Sequence, residues 1–155
     1  MTKEIITRKA SDNRYLHKDF HIALNFGIDY LHNKFGEGSV TEYLKQFANS
    51  FYSPLKKSLK EKGLIAIKEH YEEIYKIERA EFNMKFSQNE LIIHVLASPA
   101  VTHIKANGHL ISELFHETLT TINRTICQDT PFEFELLEYN KGNGASIQRF
   151  FRRSK

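Results

Sequence analysis

The spacing of apolar positions predicts helices at the start of the chain. Phe20, Ala23, Leu24, Gly27, Ile28 and Leu31 recur at the interval that lines one helix face from Lys18 onward. Gly36 and Gly38 interrupt that helix. Ser39-Val40-Thr41-Glu42 then predicts a new start, in which Ser39 and Glu42 satisfy each other's backbone amides. Val40, Tyr43, Leu44 and Phe47 supply its apolar stripe. Ser53-Pro54 reads either as a kink in one long helix or as the cap and first position of another, which runs through Leu55 and Leu59 to Gly63. A further amphipathic stretch carries Leu64, Ile67, Tyr71 and Ile74.

The period then changes to two. Ala80, Phe82, Met84 and Phe86 alternate with Glu81, Asn83 and Lys85, which predicts a half-buried strand. After a turn at Ser87-Gln88-Asn89-Glu90, residues 91–97 (LIIHVLA) are apolar in both phases and read as an interior strand paired in a hairpin. Ser98-Pro99 opens a short helix that ends at Asn107-Gly108. A longer helix follows over Ser112 to Cys127, with Phe115, Leu119, Ile122 and Ile126 inward. Two strands close the chain, Phe132 to Tyr139 and Ala145 to Arg152, around a turn rich in Asn and Gly.

Three helical segments, a hairpin, two helices and a second hairpin predict an α+β fold. Its four-stranded antiparallel sheet of two hairpins packs against the N-terminal helices and a central helix pair. No repeat or linker divides the 155 residues, so a single domain is expected. Its polar opening, residues 1–13, is expected to be flexible or draped over the surface.

Composition narrows the function classes. Twenty-two basic against nineteen acidic residues leave +3, too little to point to a nucleic-acid or membrane surface. One cysteine, Cys127, excludes a disulfide framework and cysteine-based zinc modules. No apolar run approaches the ~18 residues of a membrane span, so a cytoplasmic protein is the expectation.

Eight histidines invite a search for chemistry. His17 and His21 lie one helical turn apart at the border of the apolar face, where paired imidazoles could relay protons, orient a ligand or hold a metal. They are the candidate catalytic pair, with Tyr15 beside them as a ligand-binding candidate. No metal is assigned, because HxxxH has no fixed third ligand here; border histidines bonded to backbone are the bland alternative. Asp19 suits the helix N-terminus. Ser98, Thr102 and His103, where strand meets helix, are candidates for seating an anion on free amides; an ordinary helix cap explains them equally.

Other groups fit solvent or core. Glu113 and Glu117 fall opposite the Phe115/Ile122 stripe with His116 between the faces, and Thr120 breaks the HExxH pattern. His70 reads as surface patterning, His94 as a core histidine, and Cys127 as a thiol at the wrong helix end for activation. Arg149 and Arg152 read as charges that blunt a sheet edge.

Residues 89–152 resemble a family. The order strand, Ser98-Pro99 turn, short helix to Gly108, long helix, and hairpin ending in Phe150-Phe151 is similar to the core of the L-2-amino-thiazoline-4-carboxylic acid hydrolase-like domains. Those are distantly similar to 4-vinyl reductase domains, which bind small molecules. The resemblance implies a small-ligand pocket between sheet and helices. Where the family carries cysteines, this chain has Ser98 at the turn, Phe115-His116 on the long helix, and Ser146 and Gln148 on the final strand. No catalytic residue is carried over.

Three functions follow as expectations. The first is a small-molecule-binding domain acting as a hydrolase of a small carboxylated or heterocyclic compound. The others are a non-catalytic ligand sensor and a homodimeric interaction protein.

Overall fold

The computed structural model describes residues 18–155. Tyr15, His17 and the opening polar segment lie outside those residues. Four helices come first: α1 (Lys18–Phe35), α2 (Glu37–Phe51), α3 (Ser53–Lys62) and α4 (Leu64–Ile77). Strands β1 (Phe82–Phe86) and β2 (Glu90–Val95), helices α5 (Pro99–Ala106) and α6 (Glu117–Cys127), and strands β3 (Phe132–Tyr139) and β4 (Ser146–Arg152) complete the chain. The fold is α+β, and the helices cover one face of a four-stranded antiparallel sheet of order β1-β2-β4-β3.

The two hairpins join through β2 and β4, where Leu91 faces Phe150 and Ile93 faces Gln148. Strand β2 is therefore interior, as its apolar run predicts. Strand β4 is interior too, so Arg149 does not guard an edge. It projects from the uncovered face, and its guanidinium meets Glu90 at 2.7 Å and Glu135 at 3.4 Å. The inward phase holds Leu91, Ile93, Val95, Phe132, Phe134 and Phe150, all buried. His94 falls on the opposite phase and is only half-buried, so it is not a core residue.

The helical breaks differ from the sequence expectation in detail. Gly36 at φ 87° turns the chain, and α2 begins at once with Glu37. The Ser39–Glu42 capping box consequently does not form: Ser39 already lies inside the helix, and its hydroxyl donates to the Gly36 and Leu31 carbonyls at 2.8 and 3.1 Å. Ser53-Pro54 opens a separate helix rather than kinking one, with proline in the first turn where its missing N–H is harmless. Helix α6 starts five residues later than expected (Glu117 rather than Ser112), after a run of turns.

On α1 the buried stripe is narrower than the periodicity suggests. Leu24 and Ile28 enter the core, whereas Phe20 and Ala23 stay exposed and Leu31 is half-buried. The polar Asn25 is buried among them. It donates to the Leu110 carbonyl and accepts from the Ser112 amide, both at 2.8 Å, and so ties α1 to the segment between α5 and α6. Among the described residues no helix is long and apolar enough to cross a membrane.

Candidate functional site

Between the covered sheet face and the helices lies a cavity of about 140 Å3. Its walls come from α1, α2, α4, α6 and the strand ends, and the first turn of α5 forms part of its rim. Aromatic rings dominate. Phe20 and Phe47 stack at 6.0 Å on the α1–α2 side, and Tyr71 and Tyr75 stack at 5.7 Å on α4. Tyr52 and Tyr139 add two further hydroxyl-bearing rings.

Tyr139 reaches the cavity because of a β-bulge. Leu136 pairs with Gln148, but Glu138 already pairs with Ile147, leaving Leu137 extra. The added residue reverses the alternation, so Tyr139 pairs with Ser146 on the inner face. Simple period-two counting would place it outside.

Gln148 is the most unusual lining residue. It is fully buried, and its Nε2 donates to the Tyr75 hydroxyl at 3.2 Å and to Ser146 Oγ at 3.1 Å. Its Oε1 is buried without a hydrogen-bond partner among the described residues. A buried carbonyl left unmatched costs about 1–3 kcal/mol, which a donor brought by a ligand would offset.

Among the described residues the charged end holds the pair His21 and Glu78. His21 Nε2 and Glu78 Oε1 meet at 2.7 Å, with side chains only 12 % and 8 % exposed. Glu78 follows the last turn of α4, one helical step beyond Tyr75. The tyrosines around it are neutral at physiological pH. Burial, and to a lesser degree the Glu78 charge, holds the Tyr52 phenol above its ordinary value. Burial pushes Tyr75 up to about 12, against the opposing pull of the Gln148 hydrogen bond. Burial raises Tyr71 well above the phenol range, although its hydroxyl donates to Asn123 Oδ1.

The sequence candidates divide. His21 and Ser98 both line the cavity. Thr102 is exposed, and His103 stands off the cavity with its Nε2 3.7 Å from Asp19 Oδ1. At the start of α5, Pro99 has no amide, Val101 N–H is taken by Ser98 Oγ at 3.3 Å, and Thr102 N–H by the Ser98 carbonyl at 2.9 Å. Ser98 is a helix cap.

His70 is not a surface histidine either. Its ring lies edge-on to Tyr52 and Tyr71, its Nε2 is buried without a partner among the described residues, and burial lowers its pKa. Cys127 is buried outside the cavity, and burial pushes its thiol up to about 12. Among the described residues no group of three or more His, Cys, Asp or Glu is placed to hold a metal.

The residues that sequence reasoning missed are Glu78 and the tyrosines of α4. The apolar spacing of α4 hides the tyrosines as core. Gln148 carried a visible signal, a polar side chain in the inward phase of a strand with Phe150. Compared with known proteins, the sequence matches no family model and no curated protein.

Proposed function

We propose that this chain is a small-molecule-binding domain, working in the cytoplasm, whose ligand occupies the cavity between sheet and helices. The observation that carries the reading is Gln148 Oε1, fully buried in a largely aromatic wall and without a partner among the described residues. A ligand that supplies an N–H or O–H to that oxygen repairs a deficit the fold leaves open. The volume, about 140 Å3, suits one ring: an engineered cavity of roughly 150 Å3 holds benzene.

Binding without turnover is the better supported form of this reading. The tyrosines are too basic to ionise, Ser98 is committed to its cap, and the one thiol lies elsewhere. A hydrolase, as the resemblance to the amino-thiazoline carboxylic acid hydrolase-like domains implies, has one observation in its favour. His21, held by Glu78 at the cavity wall, could activate water toward a bound heterocycle.

A thermal-shift screen of single-ring compounds tests the reading, with mass spectrometry of each binder after incubation. Binders should raise Tm in the wild type and lose the effect in Gln148→Leu. Conversion of a binder, abolished in His21→Gln, would favour the hydrolase. A shift that survives Gln148→Leu unchanged would place the ligand elsewhere.

A further inference from the structure

We infer that the cavity selects a compact organic cation, a ring-sized amine in its ammonium form, with Glu78 as counter-ion; this rests on the binding role proposed above. Three independent features of the wall agree. First, two acceptors line it: the Glu78 carboxylate, one oxygen of which meets His21 Nε2, and Gln148 Oε1, which has no partner among the described residues. The hydroxyls of Tyr75 and Ser146 already accept from Gln148 Nε2 and can turn either way. Second, among the described residues no lysine or arginine lines the cavity, so an anion would find no cationic partner there except His21, which Glu78 engages.

Third, the wall is rich in aromatic rings. Phe20 stacks on Phe47, Tyr52 stands edge-on to Phe47 at 6.0 Å, and Tyr71 stacks on Tyr75. Ring faces carry negative potential, so a desolvated cation among these rings gains from each face it meets. An ammonium brings several N–H donors and no acceptor, the complement of this wall. A carboxylate brings the reverse and would add its charge beside Glu78. The sequence-based expectation of a carboxylated compound is therefore not the chemistry favoured here.

Isothermal titration with four probes of one shape tests the inference: benzylamine, benzyl alcohol, toluene and benzoate. Benzylamine should bind about tenfold more tightly than benzyl alcohol, since a charge-assisted hydrogen bond is roughly twice as strong as a neutral one. Toluene should be weaker and benzoate undetectable. Glu78→Gln should remove the preference for benzylamine over benzyl alcohol. Tyr52→Leu, which removes one ring face without touching the ion pair, should lower benzylamine affinity more than toluene affinity. Benzyl alcohol or benzoate binding as tightly as benzylamine, or Tyr52→Leu weakening benzylamine and toluene equally, would overturn the cationic ligand and leave the binding role standing. If none of the four probes binds, the binding role and this inference fall together.

Discussion

The Ser112 amide donates a 2.8 Å hydrogen bond to Asn25 Oδ1, across 87 residues of sequence and inside the core. The same side chain donates through Nδ2 to the Leu110 carbonyl. The segment from α5 to α6 has no regular partners of its own at that point, so one asparagine on α1 does the work of a strand edge.

Asn25→Leu should therefore destabilise the protein by about 2 kcal/mol, because it leaves the buried Ser112 amide and the Leu110 carbonyl unmatched. Urea unfolding monitored by circular dichroism gives the value. Amide exchange at Ser112 should accelerate in the variant. A variant as stable as wild type would show that water replaces the side chain at no loss.

Gly144 sets a second test, at the meeting of the β3–β4 turn with α5. At φ +70°, a Cβ there would lie 2.5 Å from Ser98 Cβ and 2.7 Å from Val101 Cγ2. The Ser98 amide also bonds the Asn143 carbonyl at 2.9 Å, so the turn has little freedom to retreat. Gly144→Ala should cost about 2–4 kcal/mol through overpacking and left-handed strain, and should narrow the cavity it lines. Gly38→Ala is the matched control. Nothing approaches within 4 Å of its added methyl, and in a helix alanine should gain up to about 1 kcal/mol.

These two positions show what the sequence makes legible. The strands were visible because alternation is local: Phe82, Met84, Leu91, Ile93 and Phe150 announce the covered face directly. The interior place of β4 was not, since it depends on pairing between distant segments, from Val95 with Ser146 to Glu90 with Phe151. At the cavity, His21 and Ser98 could be found from spacing and cap chemistry. Glu78 could not, because its contact with His21 spans 57 residues and no pattern in α4 announces it. Tyr139 was hidden by the bulge at Leu137, an insertion that period-two counting cannot detect.

Cys127 offers a probe of opening that needs no ligand. It is buried at the end of α6, and burial pushes the thiol up to about 12 despite the opposing charges of Arg153 and Lys56. Iodoacetamide at pH 8 should leave it unmodified in the folded protein for hours and alkylate it rapidly in urea. Intact-mass spectrometry reads both states. Fast labelling of folded protein would mean that α6 opens locally far below the global unfolding transition.

His70 should make the stability fall in mildly acidic solution. Burial against the rings of Tyr52 and Tyr71 lowers its pKa from 6.5, while Glu73 opposes the shift. Well above pH 6.5 the imidazole is neutral in folded and unfolded chains alike, so it contributes no pH dependence there. As pH drops below 6.5, the unfolded chain takes up a proton that the folded one refuses. Stability then declines with a slope of up to about 1.4 kcal/mol per pH unit until the folded-state pKa is reached. His70→Leu keeps an apolar side chain between the rings and removes the titration. Between pH 7 and pH 5.5 the wild type should thus lose more stability than the variant, measured by urea midpoints at each pH. Equal losses in the two proteins would mean that the buried ring accepts its proton in place, with Glu73 supplying the compensating charge.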